Sequence, residues 1–302
     1  MQVPAMLPSF RHAAAGALAL LLSACSLFPA KTAEPPPPPA KPVIALALGG
    51  GAAKGFAHIG VIKALEAQGI VPDIVVGTSA GSVVGAMYAA GKNGFELQTL
   101  AISLDESQVS DWSLPDRGVL KGDALAAFIN KAIGNAPIEK LPKKFGAVAT
   151  DLASGEPIVF RSGDTGTAVR ASSSVPGVFQ PVAIRGREYV DGGLVSPVPV
   201  RFAREMGATF VIAVDISNRP QAGKTKSSLD VLLQTFAIMG QSLNRNELPQ
   251  ADVVIRPDIS QLASADFRTR HLAVLEGEKA AAQALPALKA KLEGWGRPAA
   301  KE

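Results

Sequence analysis

The sequence predicts an α/β fold of three layers, in which a mostly parallel central sheet is covered by helices on both faces. Two observations carry this. From Val43 onward, short continuous apolar runs alternate with segments of helical period, and two of those runs end directly in glycine-rich turns that open helices. Composition agrees: of 302 residues, 47% are hydrophobic and 19% charged, which is globular rather than disordered. A formal net charge of +4 with no concentrated basic run argues against a nucleic-acid partner.

The elements follow in order. Val43 to Leu48 is an unbroken apolar run that stops at Gly49-Gly50-Gly51, the pattern of a strand buried on both faces. Phe56 to Gln68 places Ile59, Ile62, Ala64 and Leu65 at helical spacing, and Gly69 ends it. Ile74 to Val76 is a second strand leading into Gly77-Thr78-Ser79-Ala80-Gly81, and Val83 to Ala90 is the helix beyond. Phe145 to Thr150 and Pro157 to Phe160 are strand candidates. Val198 to Met206 is helical, and Phe210 to Val214 and Val253 to Ile255 are strands. Leu272 to Leu292 is a long helix that Pro286 is expected to interrupt. Leu229, Leu232, Leu233, Phe236, Met239 and Leu243 form a helical stripe behind Arg219, Lys224 and Lys226. Core is the favoured role for such a stripe, with membrane contact or an acyl-chain wall as the alternative. The loop from Ser103 to Gly122, with Trp112 and Pro115, is either a cap over a pocket or an ordinary connection.

Four segments are expected. Residues 1–24 read as a secretory signal: Arg11 and His12 precede the apolar run Ala13 to Leu22, which is too short to span a membrane. Leu22-Ser23-Ala24-Cys25 resembles the lipobox of bacterial lipoproteins, which implies acylation of Cys25. Cys25 is the only cysteine, so no disulfide competes for it. Ser rather than Asp at position 26 is similar to lipoproteins of the outer membrane more than of the inner one. The expected address is therefore the periplasmic side of a bacterial membrane, with the lipid anchor as the membrane contact. Residues 25–41 are a spacer whose five consecutive prolines, Pro35 to Pro39, favour a stiff extended chain. Residues 42–295 are the catalytic domain, and 296–302 a tail.

The chemistry concentrates at three places. Gly77-Thr78-Ser79-Ala80-Gly81 is G-x-S-x-G between strand and helix, the context that makes this pentapeptide a nucleophile elbow. Gly77 and Gly81 leave room for a tight turn, and the helix N-terminus behind Ser79 favours a developing anion. Gly49-Gly50-Gly51-Ala52-Ala53-Lys54-Gly55 is neither a dinucleotide fingerprint, which would need Gly at position 54, nor a Walker A loop. It offers backbone N–H groups near Gly50, Gly51 and Ala52 for the oxyanion of acyl transfer. For the base there are two options. His58 and His271 leave a Ser-His-Asp triad open but poorly placed, whereas Asp191 in Tyr189-Val190-Asp191-Gly192-Gly193 sits where a strand meets a glycine turn. Asp151 and Asp215 follow strands, and structural hydrogen bonding is the expected role of both. No H-E-x-x-H or Cys/His cluster suggests a metal, and no cofactor is expected.

These three elements, in this order, resemble the patatin-like phospholipase family. Lys54-Gly55-Phe56-Ala57-His58-Ile59-Gly60-Val61, Ala171-Ser172-Ser173-Ser174-Val175-Pro176-Gly177-Val178-Phe179 and Gly207 to Asp215 are similar to its bacterial members. The resemblance runs from about Val43 to Leu288 and implies a patatin-like fold. It further implies a Ser79–Asp191 dyad without histidine and calcium-independent cleavage of a lipid acyl ester. It departs at Lys54, where Arg is commoner; Lys keeps the charge and loses the planar fork. The alternatives are a carboxylesterase or thioesterase acting on soluble esters, and a non-catalytic acyl-binding lipoprotein.

Overall fold

The structure is a computed structural model, and it describes residues 41–111, 117–220, 225–262 and 267–295. The signal, Cys25, the proline spacer, Trp112, Pro115, Lys224 and the C-terminal tail lie outside the described residues.

Among the described residues, eight strands form one sheet. β1 (Ile44–Leu48), β2 (Ile74–Thr78), β7 (Phe210–Val214) and β8 (Val253–Ile255) run parallel, in the order β8-β7-β1-β2. β3 (Lys144–Asp151) continues the parallel set beside β2. Three antiparallel strands complete it: β4 (Pro157–Phe160) and β6 (Arg187–Asp191) pair with β3, and β5 (Val182–Ile184) pairs with β6.

The register on β3 decides the geometry of the site. Val148 pairs with Thr78 of β2 and, across its other edge, with Val159 of β4. Ala149, the next residue, pairs with Ile158 of β4 and with Asp191 of β6. β4 therefore takes one edge, and β2 and β6 share the other. They arrive from opposite directions, so that Thr78 and Asp191 are the last residues of two strands that meet end to end.

Side chains alternate across the sheet and build a large core on each face, with a smaller cluster of Ala149, Ala171, Val182 and Tyr189 beside them. Leu46, Leu48, Val75, Phe145, Ile212 and Ile255 face one side. That side is covered by α1 (Phe56–Glu66), α2 (Ala80–Ala89), α3 (Gly94–Ser103), α4 (Asp123–Ala132), α5 (Thr165–Ser172) and the long α8 (Arg270–Glu293). Ala45, Ala47, Ile74, Val76, Val148, Val211 and Ala213 face the other side, under α6 (Val200–Glu205). The three-layer α/β/α expectation holds, with most helices on one face. α1 and α8 cross at van der Waals contact of their backbones: a Cβ on Gly60 would lie 1.9 Å from the Val274 carbonyl oxygen, and one on Gly277 2.0 Å from that of Ala57.

Two expectations change. α8 runs through Pro286 without a break, because Pro286 and Ala282, whose carbonyl loses its partner, both face solvent. The stripe at 229–243 lies on α7 (Ser228–Glu247), capped by Ser227, whose hydroxyl accepts from Asp230 N–H at 3.1 Å. It belongs to neither core: Leu229, Leu233 and Met239 are exposed and Leu232, Phe236 and Leu243 half-buried, with Val231 and Ile238 exposed beside them. Period identifies a face of a helix, and here that face is only partly covered: a Cβ on Gly177 would lie 3.0 Å from the Leu232 side chain, while Leu233 and Met239 stay exposed. No helix among the described residues is long and apolar enough to cross a membrane.

Candidate active site

Ser79 stands between β2 and α2, at the N-cap of the helix, with φ +53° and ψ −125°. A non-glycine residue in that region is strained by about 1–3 kcal/mol, and the surroundings hold it there. Its N–H donates to Ser172 Oγ at 2.9 Å, and its carbonyl accepts from Ser82 Oγ at 2.7 Å. The glycines are required by contact. A Cβ on Gly77 would sit 2.4 Å from the Gly81 oxygen, and one on Gly81 would sit 2.1 Å from the Leu48 oxygen.

Asp191 ends β6 and is buried, at 6% exposure. Its Oδ1 accepts from the Gly193 N–H at 2.7 Å. Its carbonyl takes the Thr150 hydroxyl at 2.9 Å, and its own N–H donates to the Ser174 oxygen at 2.9 Å. Oδ2 is buried and closes no hydrogen bond within the protein. Burial pushes the carboxyl up to about 6, while the neighbouring Ser79 hydroxyl and the Gly193 N–H pull it back down. The serine thus lies beside a carboxyl with a free oxygen, close enough to affect its ionisation and short of a closed hydrogen bond. Unliganded acid–base pairs are often this loose. Gly192 makes the approach possible: a Cβ there would lie 2.2 Å from the Val148 oxygen on β3.

The glycine loop leaves β1 and crosses above Ser79; a Cβ on Gly50 would be 3.1 Å from the Ser79 Cβ. One expected donor is not free. The Gly50 N–H is bound to the Pro197 oxygen at 2.9 Å, a backbone contact that sequence spacing does not reveal. The N–H groups of Gly51, Ala52 and Ala53 have no backbone partner among the described residues. Ala52 adopts φ +53°, which turns the chain into the helical turn Ala52–Gly55. Lys54 is buried within that turn, at 5% exposure.

The segment after Asp191 braces both halves of the site. Pro197 holds Gly50, while the Ser196 carbonyl accepts the Thr78 hydroxyl at 2.8 Å, directly before Ser79. The Ser196 hydroxyl donates to Glu247 on α7 at 2.7 Å. Neither Ser196 nor Pro197 belongs to a motif, and Ser172 drew attention only through family likeness.

The histidines stand apart. His58 is fully buried, with Nε2 2.8 Å from the Gly49 carbonyl oxygen. Burial pushes its ring down to about 4, outweighing the Gly49 carbonyl and the charge of Asp215, which raise it. The neutral ring therefore carries its proton on Nε2 and braces the glycine loop from below. His271 is exposed at the start of α8 and lines no part of the cavity described next. Asp151 accepts from Ala153 and Ser154 and pairs with Arg187 at 2.7 Å. Asp215 caps the Ser217 N–H at 3.1 Å and pairs with Arg256 at 3.3 Å. No group of three or more His, Cys, Asp or Glu that could hold a metal occurs among the described residues.

Ser79 lies at one wall of a cavity of about 310 Å³ lined by apolar side chains, among them Val84, Met87, Leu97, Ala101, Leu125 and Phe128. Leu104, Val109, Ser110 and Leu120, from the described parts of the 103–122 loop, also line it, which favours the cap over the plain connection. Ser173, also in the lining, has a buried hydroxyl with no partner.

The family model described as patatin-like phospholipase matches residues 46–204, which span the glycine loop, the elbow and the acid turn. The chain belongs to the patatin-like phospholipase family. Among curated relatives, an NTE family protein of Mycobacterium tuberculosis is 36% identical over 203 residues, covering 66% of this chain and 56% of the relative. A second from the same organism is 30% identical over 271 residues, covering 81% of this chain and 46% of the relative. Patatin-like phospholipase domain-containing protein 6 of Mus musculus is 33% identical over 229 residues, covering 73% of this chain and 16% of that protein. This patatin-like chain thus spans about half the length of the mycobacterial relatives and far less of the mouse one. The crystal structure of VipD from Legionella pneumophila shares the fold, with TM-score 0.55 and 17% identity over 82% of this chain and 68% of that one.

Proposed function

We propose that this chain hydrolyses fatty acyl esters of lipids, phospholipids or lysophospholipids, through a Ser79–Asp191 dyad. The observation that carries the reading is that Ser79, at the wall of an apolar cavity, lies beside the buried Asp191 carboxyl, whose pKa burial raises. At ~30 Å³ per water-sized group, that cavity holds on the order of ten methylenes of an acyl chain.

Ser79 Oγ attacks the ester carbonyl carbon while Asp191 Oδ2 accepts the hydroxyl proton. The oxyanion lies against the N–H groups of Gly51 and Ala52, and the turn that carries Lys54 adds positive charge nearby. One such N–H donor contributes about 2.7–4 kcal/mol to the transition state. Collapse expels the alcohol, which takes the proton from Asp191. Water then attacks the acyl-enzyme, gives its proton to the same carboxylate, and the fatty acid leaves as Ser79 is reprotonated. No metal or cofactor enters these steps.

The same reading acylates the chain at Cys25 and tethers it on the periplasmic side of a bacterial membrane, the outer rather than the inner. The Leu22-Ser23-Ala24-Cys25 sequence followed by Ser26 supports this. Cys25→Ser is expected to release the protein from membrane fractions or leave its signal uncleaved; unchanged processing removes the anchor.

The test of function is fatty-acid release from phosphatidylcholine and lysophosphatidylcholine. Ser79→Ala and Asp191→Asn are each expected to lower it at least about a thousandfold. Retained activity in either variant sinks the dyad. Cleavage of soluble esters with both lipids untouched replaces the lipid substrate by a soluble one.

A further inference from the structure

A second cavity, of about 540 Å³, opens at the C-terminal ends of β7 and β8 and is unused by the chemistry above. Three elements wall it. The segment leaving β7 contributes Asp215, Ser217, Asn218 and Arg219, and β8 contributes Val254 with Arg256 just beyond it. The last turns of α7 contribute Gln241, Asn244 and Arg245, at i, i+3 and i+4. Three arginines therefore share the cavity with one aspartate, and Asp215 is already matched by Arg256. The guanidinium groups of Arg219 and Arg245 make no ion pair or hydrogen bond with any described residue.

Exposed arginines are ordinary; the buried amide beside them is not. Asn244 is 6% exposed and lines the cavity. Its Nδ2 donates to Ser217 Oγ at 2.9 Å, and its Oδ1 is buried with no partner. In either orientation of the amide, one of its polar atoms is left without a partner. Two uncompensated positive charges call for an anion, and guanidinium forks suit the oxygens of a phosphate. The volume exceeds that of a bare ion, and the orphaned amide asks for a hydroxyl.

We propose that this cavity binds a glycerophosphate group, its phosphate between Arg219 and Arg245 and a hydroxyl on Asn244. The group comes either from a soluble phosphate ester or from a lipid headgroup. The wall is shared with the hydrolytic site: Ile216, between Asp215 and Ser217, backs the glycine loop so closely that a Cβ on Gly51 would lie 2.6 Å from its oxygen.

The test uses the full chain in two arms. Calorimetric titration with sn-glycerol 3-phosphate reads the soluble source. Co-sedimentation of the Ser79→Ala protein with phosphatidylcholine vesicles, with and without phosphatidylglycerol, reads the lipid source. Arg219→Ala and Arg245→Ala are each expected to weaken binding about tenfold, and Arg245→Lys by less, since charge survives without the fork. The surface control Arg185→Ala is expected to bind as the parent does. Loss confined to the cavity variants supports the site, and the arm in which it appears names the source. Binding in neither arm, cavity variants that bind like the parent, or an equal loss in Arg185→Ala overturns it. Hydrolysis of a soluble ester by the arginine variants is read separately, so the outcome does not depend on the dyad.

Discussion

Asp191→Asn is expected to stabilise the protein above pH 6 while abolishing hydrolysis. Burial raises the carboxyl from 3.8 to about 6 in the folded state. The native protein therefore holds this proton more tightly than the unfolded chain, and stability falls as pH rises from about 4 through about 6. About two pKa units correspond to about 3 kcal/mol, present as a cost at pH 8 and absent at pH 4. The amide carries no charge and removes the cost. Its oxygen can take the Gly193 N–H that Oδ1 now accepts. Any penalty for an unpaired amide N–H is the same at every pH and cancels from the slope. At about 2–4 °C per kcal/mol for a chain of this size, the variant is expected to melt about 6–12 °C higher relative to the parent at pH 8 than at pH 4. Thermal unfolding of both proteins across that range measures it, since all other groups titrate alike in the two. A difference independent of pH would refute the buried carboxylate, and with it the base.

Three further outcomes follow from the same geometry. The kcat/KM for a soluble ester is expected to rise with pH to a plateau, with a midpoint near 6 set by Asp191; His58→Gln is expected to keep that midpoint, and its disappearance would restore the triad. Gly192→Ala drives a methyl into the Val148 carbonyl and is expected to cost about 1–3 kcal/mol in chemical denaturation, together with most of the activity because Asp191 moves with it. Ala101→Phe, buried in the cavity wall, is expected to slow hydrolysis of long acyl chains while sparing short ones, read by comparing chain lengths at a fixed headgroup.

What the sequence disclosed, and what it hid, divides along physical lines. Strands β1, β2 and β7 are unbroken apolar runs because both faces of a parallel strand are covered, so they are legible without context. Gly77, Gly81 and Gly192 are legible for a different reason: backbone approaches them within 2.5 Å, which no side chain survives. The hydrogen bond that occupies Gly50 is invisible, because its acceptor is the Pro197 carbonyl and every residue has a carbonyl. α5 escaped because Thr165–Ser172 offers few apolar positions, whereas α3 and α4 carry enough of them and went unread because no motif marks them. The stripe on α7 shows an apolar face, but sequence cannot say whether anything lies against it. Asp191 was within reach because glycines advertise it; Ser172, which fixes the Ser79 backbone, carries no such mark.

The end-to-end meeting of β2 and β6 on β3 has a consequence for how the protein is made. Ser79 and the glycine loop leave the ribosome first. Asp191 follows only after β3 and β4 are synthesised, and it reaches Ser79 only when β6 docks on the free half of one strand edge. A nascent or truncated chain that stops at β5 carries the serine without its proton acceptor. Under the proposed function, the chain would therefore be synthesised inert and acquire its chemistry only once β6 docks on β3.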